Sequence, residues 1–253
     1  MSLRILSYNI LAGGENRLPQ IASVIQQQQP HIVALQEARS RSNAESLAHQ
    51  LNMRIIFGEA HNRNKDHVVW LSQLPVIHAE NHPFPILAKT LLEIEVIWEG
   101  MPLALFTTHL KAGHNLENEQ HRIAEMQTIL QYMQAHHIQS QVLVGDLNTL
   151  HPADHANVAA YIEVLKARGE KTPAPQFPRL VIPLLLEAGY VDCYRTLHAS
   201  TQADSSYTSH SALRVDHIFA SSQLVKRLAA CEIIKEGDAL IASDHFPIWA
   251  EFR

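Results

Sequence analysis

Apolar residues in this chain come in short runs that end on polar side chains, separated by stretches whose apolar positions recur at helical spacing. Residues 3–10 read as a strand, 18–28 as a helix with Pro19 in its first turn, and 32–36 as a second strand. The second half repeats the pattern. Residues 103–110 read as a strand, 117–136 carry a helical period in Ile123, Met126, Ile129, Leu130 and Met133, and 141–144 form a short β-rich run. Each unit ends its first strand on a polar side chain, Asn9 or His109, and its second on a carboxylate, Glu37 or Asp146. If the two are related halves, their strand ends meet at one edge of the core, where α/β proteins usually build a site.

Ser42-Asn43-Ala44-Glu45 fits a capping box that opens a helix reaching about Leu51. Residues 53–57, 67–72, 90–98, 215–220, 230–235 and 248–252 read as further strands. So many strands exceed what one twisted sheet carries comfortably. The expected fold class is therefore α/β, a four-layered α/β sandwich of two packed mixed β-sheets flanked by helices. Residues 151–178, with Pro173, Pro175 and Pro178, read as a helix followed by a Pro-rich connector. No linker interrupts the pattern, so residues 1–253 are expected to form a single domain.

Composition narrows the setting. A chain of 253 residues with 46% hydrophobic content can fill one sizeable core. Cys193 and Cys231 offer neither zinc-ligand spacing nor a disulfide framework, which predicts reduced thiols and a cytoplasmic location. The chain starts directly on a strand pattern without a basic segment and apolar stretch, so no signal peptide is expected, and no run approaches the roughly 18 apolar residues of a membrane span. A formal net charge of −5 argues against a general polyanion-binding surface, and any contact with nucleic acid would be local. The 17 histidines include no His-Glu-x-x-His helix and no Cys/His quartet. His136-His137, His31, His49, His61 and His155 read as solvated or satisfied structural residues. His109 and His245 escape that reading because each closes or opens a strand within a polar motif.

The chemistry concentrates at those motifs. Glu37 closes the buried run Ile32-Val33-Ala34-Leu35, where a carboxylate is costly unless a cation pairs with it. A salt bridge to Arg39 or Arg41 is the competing explanation. Asn9 and Asp244 would complete an oxygen-rich metal shell with Glu37, which suits Mg²⁺, with Mn²⁺ as substitute. Asp146 is the candidate for activating a nucleophilic water, and Asn148 can hold a phosphate oxygen without adding negative charge. A plain Gly-Asp turn satisfying backbone groups is the alternative there. Adjacent residues in extended chain face opposite ways, so Asp244 is badly placed to hold His245; Asp216 is the natural orienter of that imidazole, or else a second metal ligand. His217 then points away from Asp216 and is structural.

Taken in order, Ser7-Tyr8-Asn9, Gln36-Glu37, Thr108-His109-Leu110, Gly145-Asp146-Leu147-Asn148, Arg214-Val215-Asp216-His217 and Ser243-Asp244-His245 run nearly from end to end of the chain. This set resembles the endonuclease/exonuclease/phosphatase superfamily of metal-dependent phosphoesterases. The resemblance implies the same four-layered sandwich, a Mg²⁺ site, water activation by Asp146, phosphate binding by Asn148, and the division of labour between Asp216 and Asp244. Abasic-site endonucleases carry a tyrosine in the stretch that holds His109 here. His109 instead resembles the histidine of branches that include sphingomyelinases, inositol-polyphosphate phosphatases, deadenylases and tyrosyl-DNA phosphodiesterases, where it donates to the phosphate.

The substrate is less legible. Arg39 belongs to a basic neighbourhood with Arg41, Arg54, Arg63 and Lys65, Lys111 follows His109, and Tyr207-Thr208 resembles a family position near the leaving group. These make Arg39, Lys111 and Tyr207 the candidate substrate contacts. Aromatics are only 6% of the chain, without the interleaving of basic and aromatic residues that stacks single strands. No Lys-rich amphipathic stretch suggests seating on a membrane, and no obligate protein partner is evident. The sequence predicts hydrolysis of a phosphodiester or phosphomonoester. A nuclease on DNA or RNA is the rival within enzymes, and an inactive binding module of the same fold is the rival outside them.

Overall fold

The structure is a computed structural model that describes residues 2–167, 169, 176–198 and 206–253. The expected strand–helix–strand units form as β1 (Leu3–Asn9), α1 (Leu18–Gln28) and β2 (Ile32–Gln36), and as β7 (Met101–His109), α3 (Leu116–Ala135) and β8 (Gln141–Asp146). The other strands are β3 (Arg54–Gly58), β4 (Val68–Ser72), β5 (Val76–His82), β6 (Leu91–Trp98), β9 (Tyr190–Asp192), β10 (Asp216–Ser221), β11 (Leu228–Ile233) and β12 (Ile248–Phe252). They make two six-stranded sheets, ordered β11-β12-β1-β2-β4-β3 and β5-β6-β7-β8-β10-β9. In each sheet the central pair is parallel, β1 with β2 and β7 with β8, and antiparallel strands flank it. The two sheets thus share one connectivity, the topological form of the duplication that the sequence suggests.

The period of two along the strands sorts side chains between two kinds of core. Leu3 and Ile5 of β1, Trp70 of β4, Leu105 of β7, Val144 of β8 and Ile218 of β10 fill the space between the sheets. The Trp70 indole donates to the Leu92 carbonyl at 3.1 Å and ties one sheet to the other. Opposite-parity residues meet the helices. α1 and α2 (Arg41–Gln50) cover the first sheet through Ile21, Val24, Ile25 and Leu47, while α3 and α5 (Val181–Glu187) cover the second through Met126, Ile129, Met133 and Ile182. The result is the four-layered α/β sandwich.

Local departures have local causes. α2 starts two residues earlier than its expected box, because Ser40, not Ser42, caps it by accepting from the Asn43 amide at 3.2 Å. β5 escapes sequence reading as a half-exposed edge strand without clean alternation. The 151–178 segment contains α4 (Val158–Ala167), while Pro173 and Pro175 lie outside the described residues. Cys193 and Cys231 are buried, free thiols. Among the described residues, no helix is long and apolar enough to cross a membrane.

Candidate active site

The same alternation that places Leu3 and Ile5 between the sheets carries Asn9 there, and likewise His109 with Leu105, Asp146 with Val144, and Asp216 with Ile218. All four are buried. They meet because β1, β7 and β8 end, and β10 begins, at one edge of the sandwich: Asp216 is the register partner of Asp146, and His109 pairs with Asp146 across β7 and β8. Gly145 makes that last pairing possible. Its φ is +143°, and a Cβ at this position would lie 2.0 Å from the Thr108 carbonyl oxygen, so only glycine lets β8 approach β7 this closely.

Glu37 reaches the edge by another route. Strand parity would send it to the helix side, but its backbone turns into the left-handed region with φ 58°. The turned carboxylate takes the Ala12 amide on Oε2 at 3.0 Å and the Asn9 amide group on Oε1 at 3.2 Å. Asn9 Nδ2 also donates to Asp146 Oδ2 at 3.1 Å, so one amide group bridges two carboxylates from different sheets. Asn9 Oδ1 meanwhile accepts from the Leu11 amide at 3.1 Å. For Asn9 to offer oxygen to a metal, its amide has to rotate by half a turn.

Asp146 Oδ2 is the point of convergence. Besides Asn9 Nδ2, it faces His109 Nε2 at 3.4 Å and His245 Nε2 at 3.9 Å. Its other oxygen accepts from the Asn148 amide at 3.0 Å, as the simple turn requires. Burial, then the neighbouring Asp216 charge, push the Asp146 carboxyl up to about 7. His245 goes up as well: burial disfavours its imidazolium, but Asp216, with further help from Asp146 and Asp244, outweighs burial and lifts it to about 10. The His245 Nδ1 donates to Asp216 Oδ2 at 2.8 Å. His109 moves the other way, held well below its ordinary value by burial and then by Lys89 and His245. Its Nδ1 has no hydrogen-bond partner among the described residues.

The remaining candidates distribute as follows. Asn148 sits at φ 51° and donates through Nδ2 to the Leu110 carbonyl at 3.2 Å. Asp244 lines, with Asn148, His245, His114, Tyr161 and Val215, a pocket of about 260 Å³ beside the edge. Arg39 lies 3.6 Å from Glu37 Oε2 but is clamped on Asp66 at 2.7 Å, and Arg41 turns to Glu59 and the Phe57 ring. Of the basic neighbourhood, only Arg39 is drawn towards the edge; Arg54, Arg63 and Lys65 are exposed. The Lys111 side chain is exposed too. Tyr207 packs on Phe246 with Lys235 over its ring and does not line the pocket. His217 is buried and donates from Nε2 to the Thr149 carbonyl at 2.9 Å, away from Asp216.

Several supports were not legible in the sequence. Lys89 is buried ahead of β6 and donates to the Leu110 carbonyl at 3.1 Å; burial lowers its amine, and Asp146 leads the charges that oppose that shift. The Ser243 hydroxyl donates to the Asn9 carbonyl at 2.7 Å, and the Thr208 hydroxyl accepts from the amides of Val215 and Asp216, each at 3.0 Å. Arg214, fully buried between Asp154 and Asp192, anchors the approach to β10. Ser243 and Arg214 carried a signal as members of the polar motifs, and Thr208 carried one through the Tyr207-Thr208 pair. Lys89 looks like an ordinary loop residue until the fold is known.

The donor set at the edge, Glu37, Asp244, Asp146 and Asp216 with the Asn9 amide, is rich in oxygen. The Asp216 Oδ1 atom is buried without a hydrogen-bond partner among the described residues, and Asp146 is pushed towards its neutral form. Both features suit a hard divalent cation. The Asp146, Asp216 and His245 ligand atoms also lie within 4.8 Å of one another.

Comparison with known proteins places this geometry in context. The pattern of the endonuclease/exonuclease/phosphatase family matches residues 6–245. Exodeoxyribonuclease III of Haemophilus influenzae is 23% identical over 273 residues, covering 99% of this chain and all of the relative. Among solved structures, an AP endonuclease from Archaeoglobus fulgidus superposes with TM-score 0.76 at 19% identity, over 99% of both chains. The 3′ phosphatase NExo from Neisseria, bound to product DNA hairpin, gives 0.74 at 20% identity over 99% of both chains. D. rerio TDP2 complexed with single strand DNA product gives 0.72 at 21% identity, over 100% of this chain and 99% of that one. These structures share the fold of this chain.

Proposed function

The chain belongs to the endonuclease/exonuclease/phosphatase family, and we propose that it acts as one domain to hydrolyse phosphate esters, using a divalent ion, Mg²⁺ with Mn²⁺ as substitute, and a water activated by Asp146. The observation that carries this reading is the convergence of Asn9, His109 and His245 on a single oxygen, Asp146 Oδ2. In the proposed arrangement Glu37, Asp244 and a rotated Asn9 hold the ion, whose charge offsets that of the phosphoryl oxygens.

The protein groups divide the remaining work. Asp146, with its pKa raised to about 7, is poised to take a proton from water near neutral pH. His245 is cationic in that range; its Nδ1–H is committed to Asp216, which leaves Nε2–H for a phosphoryl oxygen. His109 stays neutral and offers a hydrogen bond without adding charge. Asn148 has one Nδ2 hydrogen on Leu110 and a second available for phosphate. Lys111 and Arg39 stand at the rim, and Tyr207 contributes through Phe246, the neighbour of His245.

A histidine at position 109, where abasic-site endonucleases carry tyrosine, supports the branch of phosphatases and phosphodiesterases. Nuclease action is the second reading, favoured by relatives described with product DNA. Buried free thiols fit a cytoplasmic setting. Hydrolysis of bis-p-nitrophenyl phosphate with and without EDTA tests the proposal, followed by a panel of single-stranded DNA, RNA, sugar phosphates and phospholipid headgroups. Turnover abolished by EDTA is the expected result. Absence of metal-dependent turnover across the panel overturns it in favour of an inactive binding module.

A further inference from the structure

A second group of imidazoles and carboxylates lies on the outer face of the second sheet. Glu93 and Glu95, two residues apart on β6, project to the same side, His78 of β5 is the register partner of Glu95, and His136 and His137 follow directly on α3. Glu95 Oε1 lies 3.5 Å from His136 Nε2 and 3.8 Å from His137 Nε2. The ligand atoms of Glu95, His136 and His137 lie within 4.8 Å of one another, as do those of His78, Glu93 and Glu95. Glu95 is common to both sets. All five side chains line one groove of about 460 Å³.

We propose that this groove is a metal site separate from the catalytic edge, holding a borderline divalent ion such as Zn²⁺ on Glu95, His136 and His137, with His78 as the fourth ligand. Ligands of tetrahedral zinc stand about 2.0–2.1 Å from the ion and so roughly 3.3 Å from each other. The two Glu95–imidazole separations, 3.5 and 3.8 Å, need to close by about half an ångström or less. Two or three imidazoles with one carboxylate select zinc-like ions over magnesium, the reverse of the oxygen-rich catalytic edge.

Glu93 fixes the His136 imidazole in the groove. His136 Nε2 donates to Glu93 Oε1 at 2.8 Å, and the Tyr132 hydroxyl donates to Glu93 Oε2 at 2.7 Å. The His136 Nδ1 accepts from the Ile138 amide at 3.1 Å, so the ring proton resides on Nε2. Metal binding at Nε2 therefore shifts that proton to Nδ1 and releases the Ile138 amide, with no net proton lost. The bound ion would tie the end of α3 to the β5–β6 hairpin.

That tautomer exchange is the signature to measure. Zn²⁺ alone is titrated into the full chain in excess Mg²⁺, followed by calorimetry and by ¹⁵N spectra of the imidazoles and backbone. One equivalent should move the His136 ring proton to Nδ1 and shift the Ile138 amide. Zn²⁺ affinity should fall at least about tenfold in His137→Ala and in Glu95→Gln, and stay unchanged in Glu37→Gln. His137 is 75% exposed, so its removal leaves the core intact. Unchanged His136 and Ile138 signals at stoichiometric Zn²⁺, or equal affinity in the wild type and both groove variants, would overturn the proposal.

Discussion

The two sheets have the same connectivity, yet they close their parallel pairs with different chemistry. In the first, β1 ends in Asn9 and β2 leads directly into Glu37; in the second, β7 and β8 end in His109 and Asp146. The next strand in each sheet, β4 or β10, has an aspartate at or just before its start, Asp66 or Asp216. Asp66 is locked by Arg39, a permanently charged partner from its own half. Asp216 pairs with His245, an imidazole that leads into β12 of the opposite sheet. Equivalent positions thus become a static clamp in one half and a titrating pair that crosses between halves in the other. The duplicated fold supplies the positions, and the partner's pKa decides what each can do.

If the second half carries proton transfer, Asp146→Asn is the most damaging change, because the amide keeps the shape but cannot accept a proton. Single-turnover rates should fall by about 10²–10⁴-fold while circular dichroism and divalent-metal binding remain near wild type. A rate like the parent's would remove Asp146 from its proposed role.

The crossing pair comes next. His245→Ala should lower the rate by about 10²–10³-fold, typical of a lost transition-state donor. Because its folded pKa is raised to about 10 from an ordinary value near 6.5, the imidazolium contribution is fully present below 6.5 and is lost as pH rises through about 10. Asp216→Asn should move that alkaline loss to lower pH. The double variant should lose less than the sum of the single losses; strict additivity would separate the two residues and return Asp216 to the metal.

The first half should register on metal rather than on protons. Glu37→Gln is expected to weaken Mg²⁺ and Mn²⁺ binding at least about tenfold, with a proportionate fall in rate at limiting metal. An unchanged metal titration would sink this assignment. The smallest effect belongs to the static clamp: Arg39→Ala should cost about 1 kcal/mol or less in denaturant unfolding, as a partly exposed ion pair does, and leave the pH profile in place. A shifted alkaline limb in that variant would abolish the contrast between the halves.

Much of the site was legible because strand periodicity is a local property. Once residues 3–9, 103–109 and 141–146 are strands with buried partners, parity alone aims Asn9, His109 and Asp146 into the same layer, and the polar end of each run marks where the layer opens. Gly145 before Asp146 could likewise be read as a turn signal, although the reason for glycine, a 2.0 Å encounter with the Thr108 carbonyl, is a contact between strands.

Glu37 shows where local reasoning stops. Its parity is wrong for the site, and only the left-handed turn, held by the Ala12 and Asn9 contacts, brings it round. Lys89 had no sequence signal, since it acts by a hydrogen bond to a backbone carbonyl 21 residues away in the chain. His136 read only as a solvated or satisfied structural histidine, because the partner that satisfies it, Glu93, is 43 residues away. The sequence by itself determined most of the elements, the two-sheet architecture and the residue types available for chemistry, because these follow from spacing and side-chain character along one strand or helix. The tertiary structure alone decided which of those residues pair by hydrogen bond or charge, because pairing energies depend on distance and desolvation, and both are set by parts of the chain that meet only after folding.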